Sequence, residues 1–310
     1  MIASEQSLKS VRQRRPVGLA RLRMIFFPEG SASLLRYISL LLILVLAVIS
    51  LFPLYWAVIT SFKDPQDVAT VPPSFLVERL ALTNYTDLIR GTGVANAPVV
   101  RWFWNSVFTS IVSTTGVVLL TSLAGYSFAR KRFPGRDLIF WLIISTMLVP
   151  GWSTIIATYV LTLKMGLHDT YWVLILPGMA SPFAVFLFRQ FAITLPEELF
   201  QAAKIDGASE VQLWWRIALP LARPVLATLA IFTFVAHWND FLWPLLVLNK
   251  QQIYTLPVGV SIIMYQIQGA GPSYGIGMAA AILMSILPIV AFLLMQKQMI
   301  EGITIGSLKG

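Results

Sequence analysis

A chain of 310 residues with 57% hydrophobic and only 12% charged side chains lacks the charged surface of a soluble domain, where roughly a quarter of residues are charged. It has no cysteine, which excludes disulfides and thiolate metal sites. A net charge of +9 would suit nucleic acid, but the basic residues are placed unevenly along the chain in a way that a bilayer explains better.

The apolar residues gather in long runs. A hydrocarbon core about 30 Å thick takes roughly 20 helical residues to cross. Six runs qualify: Tyr37–Thr60, Ser106–Ala129, Leu138–Leu163, Tyr171–Phe191, Val225–Leu248 and Met278–Met295. They are continuous rather than short and alternating, so they predict helices and not barrel strands. Seventeen of the 23 Lys+Arg lie in segments 1–36, 130–137, 189–223 and 296–310; six lie in 61–103, 164–170 and 249–277. The two sets alternate across the runs, and the positive-inside rule then predicts both termini in the cytoplasm.

Residues 1–36 are a basic leading segment. Its "VRQRRPVGLARLR" resembles the start of a signal peptide, but the apolar run that follows is too long and ends without a small-x-small cleavage site. An uncleaved anchor over 37–60 is expected. Residues 61–103 form an outer segment, with proline-marked "DPQDVATVPPSF" and a short helix at Asn84–Leu88. A core holding the other five spans is expected over 104–300. Within it "ARKRFPGRD" is a tight cytoplasmic turn and "KMGLHDT" a short outer one. "LPVGVSIIMY" is too short to cross and predicts an outer-surface or re-entrant helix, with "GAGPSYGIG" a flexible connection after it. Residues 301–310 are expected as a cytoplasmic tail.

Between the fourth and fifth runs stands "LPEELFQAAKIDGAS", a helix over 195–208 on the predicted cytoplasmic side. Thr194 and Glu197 have capping-box spacing, and Pro196 falls in the first turn. Glu197 and Glu198 suit the positive end of the helix dipole and Lys204 the negative end. Gly207 suits a left-handed position past the C-cap. Ser209 then caps a second short helix, "SEVQLWWRIALP", whose Trp214 and Trp215 belong at a membrane interface. Ala202 and Ala203 leave room for another backbone to approach. On these features alone, a docking helix and an amphipathic connector lying on lipid both fit.

The stretch resembles the cytoplasmic-loop signature of ABC importer permeases. Gln201-Ala202-Ala203 is followed by three residues, Gly207 and a later Leu219-Pro220. "NSVFTSIVSTTGVVLLTSLAGYSFARKRFPGRD", "FTFVAHWNDFLWPLLVL" and "EGITIGSLKG" are similar to landmarks of the six-span, maltose-type subunit in the carbohydrate branch. The resemblance covers about residues 37–310. It implies an all-α polytopic membrane protein with six transmembrane helices and a cytoplasmic coupling helix, the type I ABC importer permease architecture, in a bacterial or archaeal plasma membrane. It implies a sugar-importing permease subunit that works by alternating access. The implied partners are a second, non-identical permease, an ATPase subunit dimer that binds ATP-Mg, and an extracellular solute-binding protein. The residues that would couple to the ATPase are Glu197, Glu198, Gln201, Ala202, Ala203, Asp206 and Gly207. Gln201 departs from the family's Glu and loses the charge-assisted hydrogen bond a carboxylate could make.

"HWNDFLWP" carries Asp240, the one carboxylate predicted inside a run. Trp238, Asn239, Asp240 and Trp243 are candidates to line the sugar path; alternatively, Asn239 and Asp240 satisfy backbone freed by Pro244. The chain has no phosphate-binding loop, because the glycines and lysine of "GITIGSLKG" have the wrong spacing. Its two histidines, His168 and His237, lie far apart. His237 and Asp240 have a metal-compatible spacing but lack a third ligand. No catalytic residue, metal site or resident cofactor is expected. A stand-alone secondary transporter would need ion-coupling carboxylates beyond Asp240, and an intramembrane enzyme would need a nucleophile or metal constellation.

Overall fold

The computed structural model describes residues 33–68, 70, 72–92, 97–267 and 274–307. Most of the basic leader, residues 268–273 of the expected flexible connection and the last three residues of the tail lie outside the described residues. Every regular element described is helical. In order they are α1 Ser33–Ser61, α2 Pro65–Val68, α3 Thr83–Arg90, α4 Val99–Arg130, α5 Arg136–Ser145, α6 Ile155–Lys164, α7 Trp172–Gly178 and α8 Pro182–Ile193. There follow α9 Glu197–Ile205, α10 Glu210–Leu213, α11 Leu219–Leu221, α12 Arg223–Trp238, α13 Leu242–Val247, α14 Leu256–Ile267 and α15 Tyr274–Ser307.

Three helices are long and apolar enough to span a bilayer unbroken: α1 from Tyr37, α4, and α15 as far as Leu294. Three further segments are bent pairs. Arg136–Leu148 and Gly151–Lys164 meet at 96°, Trp172–Gly178 and Pro182–Ile193 at 44°, and Glu210–Leu221 and Arg223–Trp238 at 81°. The described helices reach six spans only if each bent pair counts as one. The third, fourth and fifth apolar runs were expected as single helices. They break at Val149–Pro150, near Ser181–Pro182 and at Asn239–Phe241. Proline explains the first two, since it fixes φ and biases the residue before it away from helix. In the third, Pro244 sits inside the short helix that follows the break. α15 continues to Ser307, so the segment expected as tail extends the last helix.

The chain divides into two units, 1–56 and 57–310. Within the first, the described part of α1 presents exposed apolar side chains from Tyr37 to Leu54. A helix that is apolar all round belongs in a membrane.

In the second unit α4 is the axis, packing on α7, α8, α12 and α14. Its inward face is small and polar: Ser106, Thr109, Ser110, Ser113, Thr121 and Ser122 are all buried. Its exposed face carries Trp104, Phe108, Ile111 and Leu120. That inversion of the soluble pattern suits hydrocarbon, where helices gain nothing by hiding leucine from lipid and associate through close contact of small residues.

The first turns of α4 hold the segment before α14 by polar contacts. Trp102 Nε1 donates to the Gln251 carbonyl at 2.7 Å. Asn105 Nδ2 donates to Gln252 and Tyr254 carbonyls at 2.9 Å each, and its Oδ1 accepts from Tyr171 at 2.8 Å. Ser106 Oγ accepts the Leu256 N–H at 2.7 Å. α14 is therefore built into the core, with Val258, Val260, Ile263 and Ile267 buried against α4 and α15. Of the two expectations for this stretch, a helix lying free on the outer surface does not hold, because its apolar residues face protein on one side; the length too short to cross stands.

Beside the same segment, Asp169 adopts a left-handed φ of 56°. Its carboxylate accepts the N–H groups of Asn249 and Lys250 at 2.5 and 3.0 Å. The Asn249 N–H holds that carboxyl below the usual carboxylate range, helped by the Lys250 N–H and charge.

Two outcomes follow from these contacts. At Gly259 an added Cβ would lie 1.9 Å from the Trp102 ring, which is fully buried and cannot swing away. Gly259→Ala should destabilise the chain, because overpacking costs about 1–3 kcal/mol against a helix-propensity gain of about 1 kcal/mol; thermal unfolding in detergent measures the sum. For Asp169 the folded pKa is depressed, so its contribution is complete above the unfolded value near ~3.9 and is lost as pH falls through the folded one. The gap in unfolding temperature between wild type and Asp169→Asn should be present at neutral pH and vanish in strong acid.

Candidate functional site

Two features stand out: the elbow formed by α9 and α10, and a cavity bordered by two helix breaks.

The elbow forms as predicted in outline and differs at its start. Thr194 keeps helical angles at the end of α8 and its hydroxyl donates to the Phe191 carbonyl at 2.8 Å. It therefore cannot cap α9. Pro196 occupies the N-cap with extended angles and offers no side-chain cap. Gly207 has φ 81°, the left-handed geometry expected past the C-cap. Ser209 and Gln212 complete a capping box for α10.

What holds α9 in place is Arg130, the last residue of α4, which the sequence reading passed over. Its Nε and Nη2 donate to the Ala192 carbonyl at 3.0 and 2.8 Å, and Nη2 also donates to the Leu195 carbonyl. Nη1 pairs with Glu197. The guanidinium lies 4.7 Å from the centroid of the Phe200 ring. One side chain thus ties carbonyls at and just past the C-terminus of α8 to a carboxylate in the first turn of α9, at the negative and positive dipole ends respectively. A planar fork suits this job and a point charge does not.

Phe200 inserts behind the helix, buried with Tyr126, Phe188 and Leu213, and Ala203 packs at its edge. Glu210 accepts from Tyr126 at 3.4 Å and pairs with Lys131 and, at 3.7 Å, Lys204. Trp214 packs inward while Trp215 is exposed.

The predicted coupling residues consequently separate. Glu197 is engaged with Arg130, and Ala203 faces inward. Glu198, Gln201, Ala202, Asp206 and Gly207 are exposed. Glu198, Gln201, Ala202 and Ile205 stand at i, i+3, i+4 and i+7, one face of the helix, and Ile205 is 86% exposed.

The cavity has about 350 Å3 and is lined by Trp152, Thr154, Thr158, His237, Asp240 and Trp243, among others. These come from the break before α6, from α6, and from the break between α12 and α13. The four predicted path residues do not come together. Asp240 and Trp243 line the cavity. Trp238 is fully buried, donating to the Met284 carbonyl at 2.9 Å and stacked with Phe234. Asn239 is exposed and does not line it. Asp240 lines the cavity, and its carboxylate interacts with the N–H groups of Trp243 and Phe241 at the start of α13. No group of three or more metal-ligating side chains occurs among the described residues.

A helical membrane protein with broken spans around a cavity, and a rigidly backed helix presented at one end, has the form of a transporter subunit. Comparison gives the family. Residues 118–303 match the family described as "Binding-protein-dependent transport system inner membrane component". The chain is 36% identical over 268 residues to the arabinooligosaccharides transport system permease protein of Halalkalibacterium halodurans, covering 86% of this chain and 93% of the relative. It is 37% identical over 254 residues to the sn-glycerol-3-phosphate transport system permease protein of Yersinia enterocolitica, covering 82% and 90%. Its fold is similar to a chain in the crystal structure of a bacterial ABC transporter involved in import of the acidic polysaccharide alginate. That match has a TM-score of 0.74 at 21% identity and covers 87% of this chain and 98% of the other. The chain belongs to the inner-membrane components of binding-protein-dependent transport systems. It is a transport subunit and not an enzyme.

Arg130→Ala should leave the chain inserted while cargo uptake by the assembled transporter falls about ten-fold, equivalent to about 1.4 kcal/mol. Arg130→Lys should recover only part, since one ammonium cannot serve two carbonyls and a carboxylate together. Uptake in vesicles, normalised to membrane-inserted chain, checks both.

Proposed function

We propose that this chain is one permease half of an ATP-driven importer of a carbohydrate. It would pair with a second, non-identical permease, receive cargo from an extracellular solute-binding protein, and be driven by an ATPase dimer that binds ATP-Mg. Both termini would lie in the cytoplasm, on the side of the basic segments. The names of the relatives support small polyols and saccharides as the cargo class.

One observation carries the coupling reading. α9 is braced from behind by Arg130 and Phe200, while its outward face of Glu198, Gln201, Ala202 and Ile205 is exposed. A brace of this kind passes force to α4 and α8 and leaves a small, partly apolar surface for the ATPase to grip. Gln201 and Ala202 keep that surface low, and Glu198 offers it a free-standing carboxylate. Asp206 and Gly207 set the turn into α10. In the transport cycle the ATPase pair closes, the elbows approach each other, and the broken spans open outward around the cavity. Asp240 and Trp243 then meet the cargo.

Gly207 gives the test. No atom outside its neighbours lies within 4 Å of a Cβ built there, so substitution costs backbone strain alone, about 1–2 kcal/mol for a left-handed residue. Gly207→Leu should insert normally and lose cargo-stimulated ATP turnover in the assembled complex. Undiminished turnover, or crosslinks that place residues 197–207 outside the cell, would reject the coupling role.

A further inference from the structure

The lining of the cavity has a hydrogen-bonding polarity that bears on which carbohydrates it admits. Thr154 Oγ1 already donates its proton to the Gly151 carbonyl at 2.9 Å. Thr158 Oγ1 donates to the Thr154 carbonyl at 3.0 Å. Each hydroxyl therefore has only lone pairs left to offer the cavity. Trp243 has committed its indole N–H to the Val173 carbonyl at 2.9 Å. Asp240 is the only lining residue with a formal charge, and it is an acceptor; no lysine or arginine lines the space. The donors that remain are the ring N–H groups of His237 and Trp152, and neither supplies a fixed positive charge.

We infer that this wall selects uncharged, hydroxyl-rich saccharides and rejects phosphorylated or uronate cargo. The inference rests on the proposed carbohydrate reading and sharpens it. Sugar hydroxyls donate as well as accept, so they pair with Asp240, Thr154 and Thr158 together, the bond to Asp240 being charge-assisted. A phosphate or carboxylate brings acceptors and a negative charge to a largely apolar wall whose polar side chains are mainly acceptors, one of them a carboxylate. Like charge within such a site is strongly unfavourable, and the unpaired acceptors add their desolvation. Specificity then comes from repulsion as much as from attraction. The relatives are named for cargo on both sides of this division: arabinooligosaccharides are neutral, sn-glycerol 3-phosphate is an anion. The lining of this chain sides with the neutral class.

The test is equilibrium binding to the purified permease–ATPase complex without its solute-binding protein, which removes that protein's own selectivity. The probes are a neutral pentose trisaccharide, a uronate trisaccharide of the same length, and sn-glycerol 3-phosphate. The neutral probe should bind at least about ten-fold more tightly than either anion. Asp240→Asn keeps a side-chain acceptor for the α13 N-terminus and removes only the charge; it should narrow that ratio about ten-fold. Thr158→Val, which removes an acceptor without touching the break, should weaken the neutral probe several-fold and leave the anions unchanged. An anion that binds as tightly as the neutral probe, or a ratio unmoved in both variants, overturns the inference while the carbohydrate reading stands. If no saccharide binds and none stimulates ATP turnover, both fall together.

Discussion

In hydrocarbon a backbone N–H or carbonyl that leaves the helix ladder has no water to turn to, and each one unsatisfied costs several kcal/mol. This chain breaks its spans repeatedly, and several of its buried side chains are spent on that constraint. Trp102, Asn105 and Ser106 serve the backbone of residues 251–256. Trp238 serves Met284, and Trp243 serves Val173. Arg130 serves Ala192 and Leu195. In each case a side chain on one element repays the backbone of another, so the contacts that permit the breaks also lock the helices to each other.

The same economy explains what could be read from the sequence and what could not. Long apolar runs and the alternation of basic segments are properties of composition, and they marked the apolar segments and the elbow before any contact was known. Gly207 was legible because a left-handed turn needs glycine, and Ser209 because a capping box has a fixed spacing. Thr194 failed on the same spacing. The capping box requires the chain to leave the helix at Thr194, and the structure instead carries α8 through it. Spacing shows that a cap is available, and tertiary packing decides whether it is used. Trp238 failed for a related reason. An aromatic beside Asn-Asp suggested a sugar platform, yet a tryptophan at a helix end with an open carbonyl nearby is drawn into the core to satisfy it. Arg130 was counted only as one of four positive charges in a cytoplasmic turn. Nothing local distinguishes it from Lys131 or Arg132. Its role depends on residues 62–70 positions away, which no local pattern encodes.

Asp240 shows how a helix break supplies partners to a carboxylate that lines a cavity. A carboxylate deep in an apolar span needs partners, and the free N–H groups at the start of α13 are such partners. Those N–H groups offset part of the desolvation that burial imposes on the carboxylate. The break that creates the need for a cap also opens the cavity that the cap lines. Discontinuous helices put binding groups and backbone ends in the same place for this reason.

On the proposed reading, the distance between elbow and cavity matters less than the number of rigid routes joining them. A push on α9 enters α4 through Arg130 and Phe200. It enters α8 through the carbonyls that Arg130 holds. It enters α12 along the chain, through Leu213, Ala218 and Ala222, which are buried with Tyr126 and Phe188. α4, α8 and α12 pack directly on one another, and α12 ends at the break that bears Asp240. Close-packed side chains do not absorb displacement gradually; they hold one arrangement or move to another. A displacement large enough to shift α9 must therefore be taken up where packing is already interrupted, at the breaks around 149–151, 181 and 239–241. Two of those breaks, the first and the last, border the cavity, which makes the weakest points of the helices the points at which cargo is held and released.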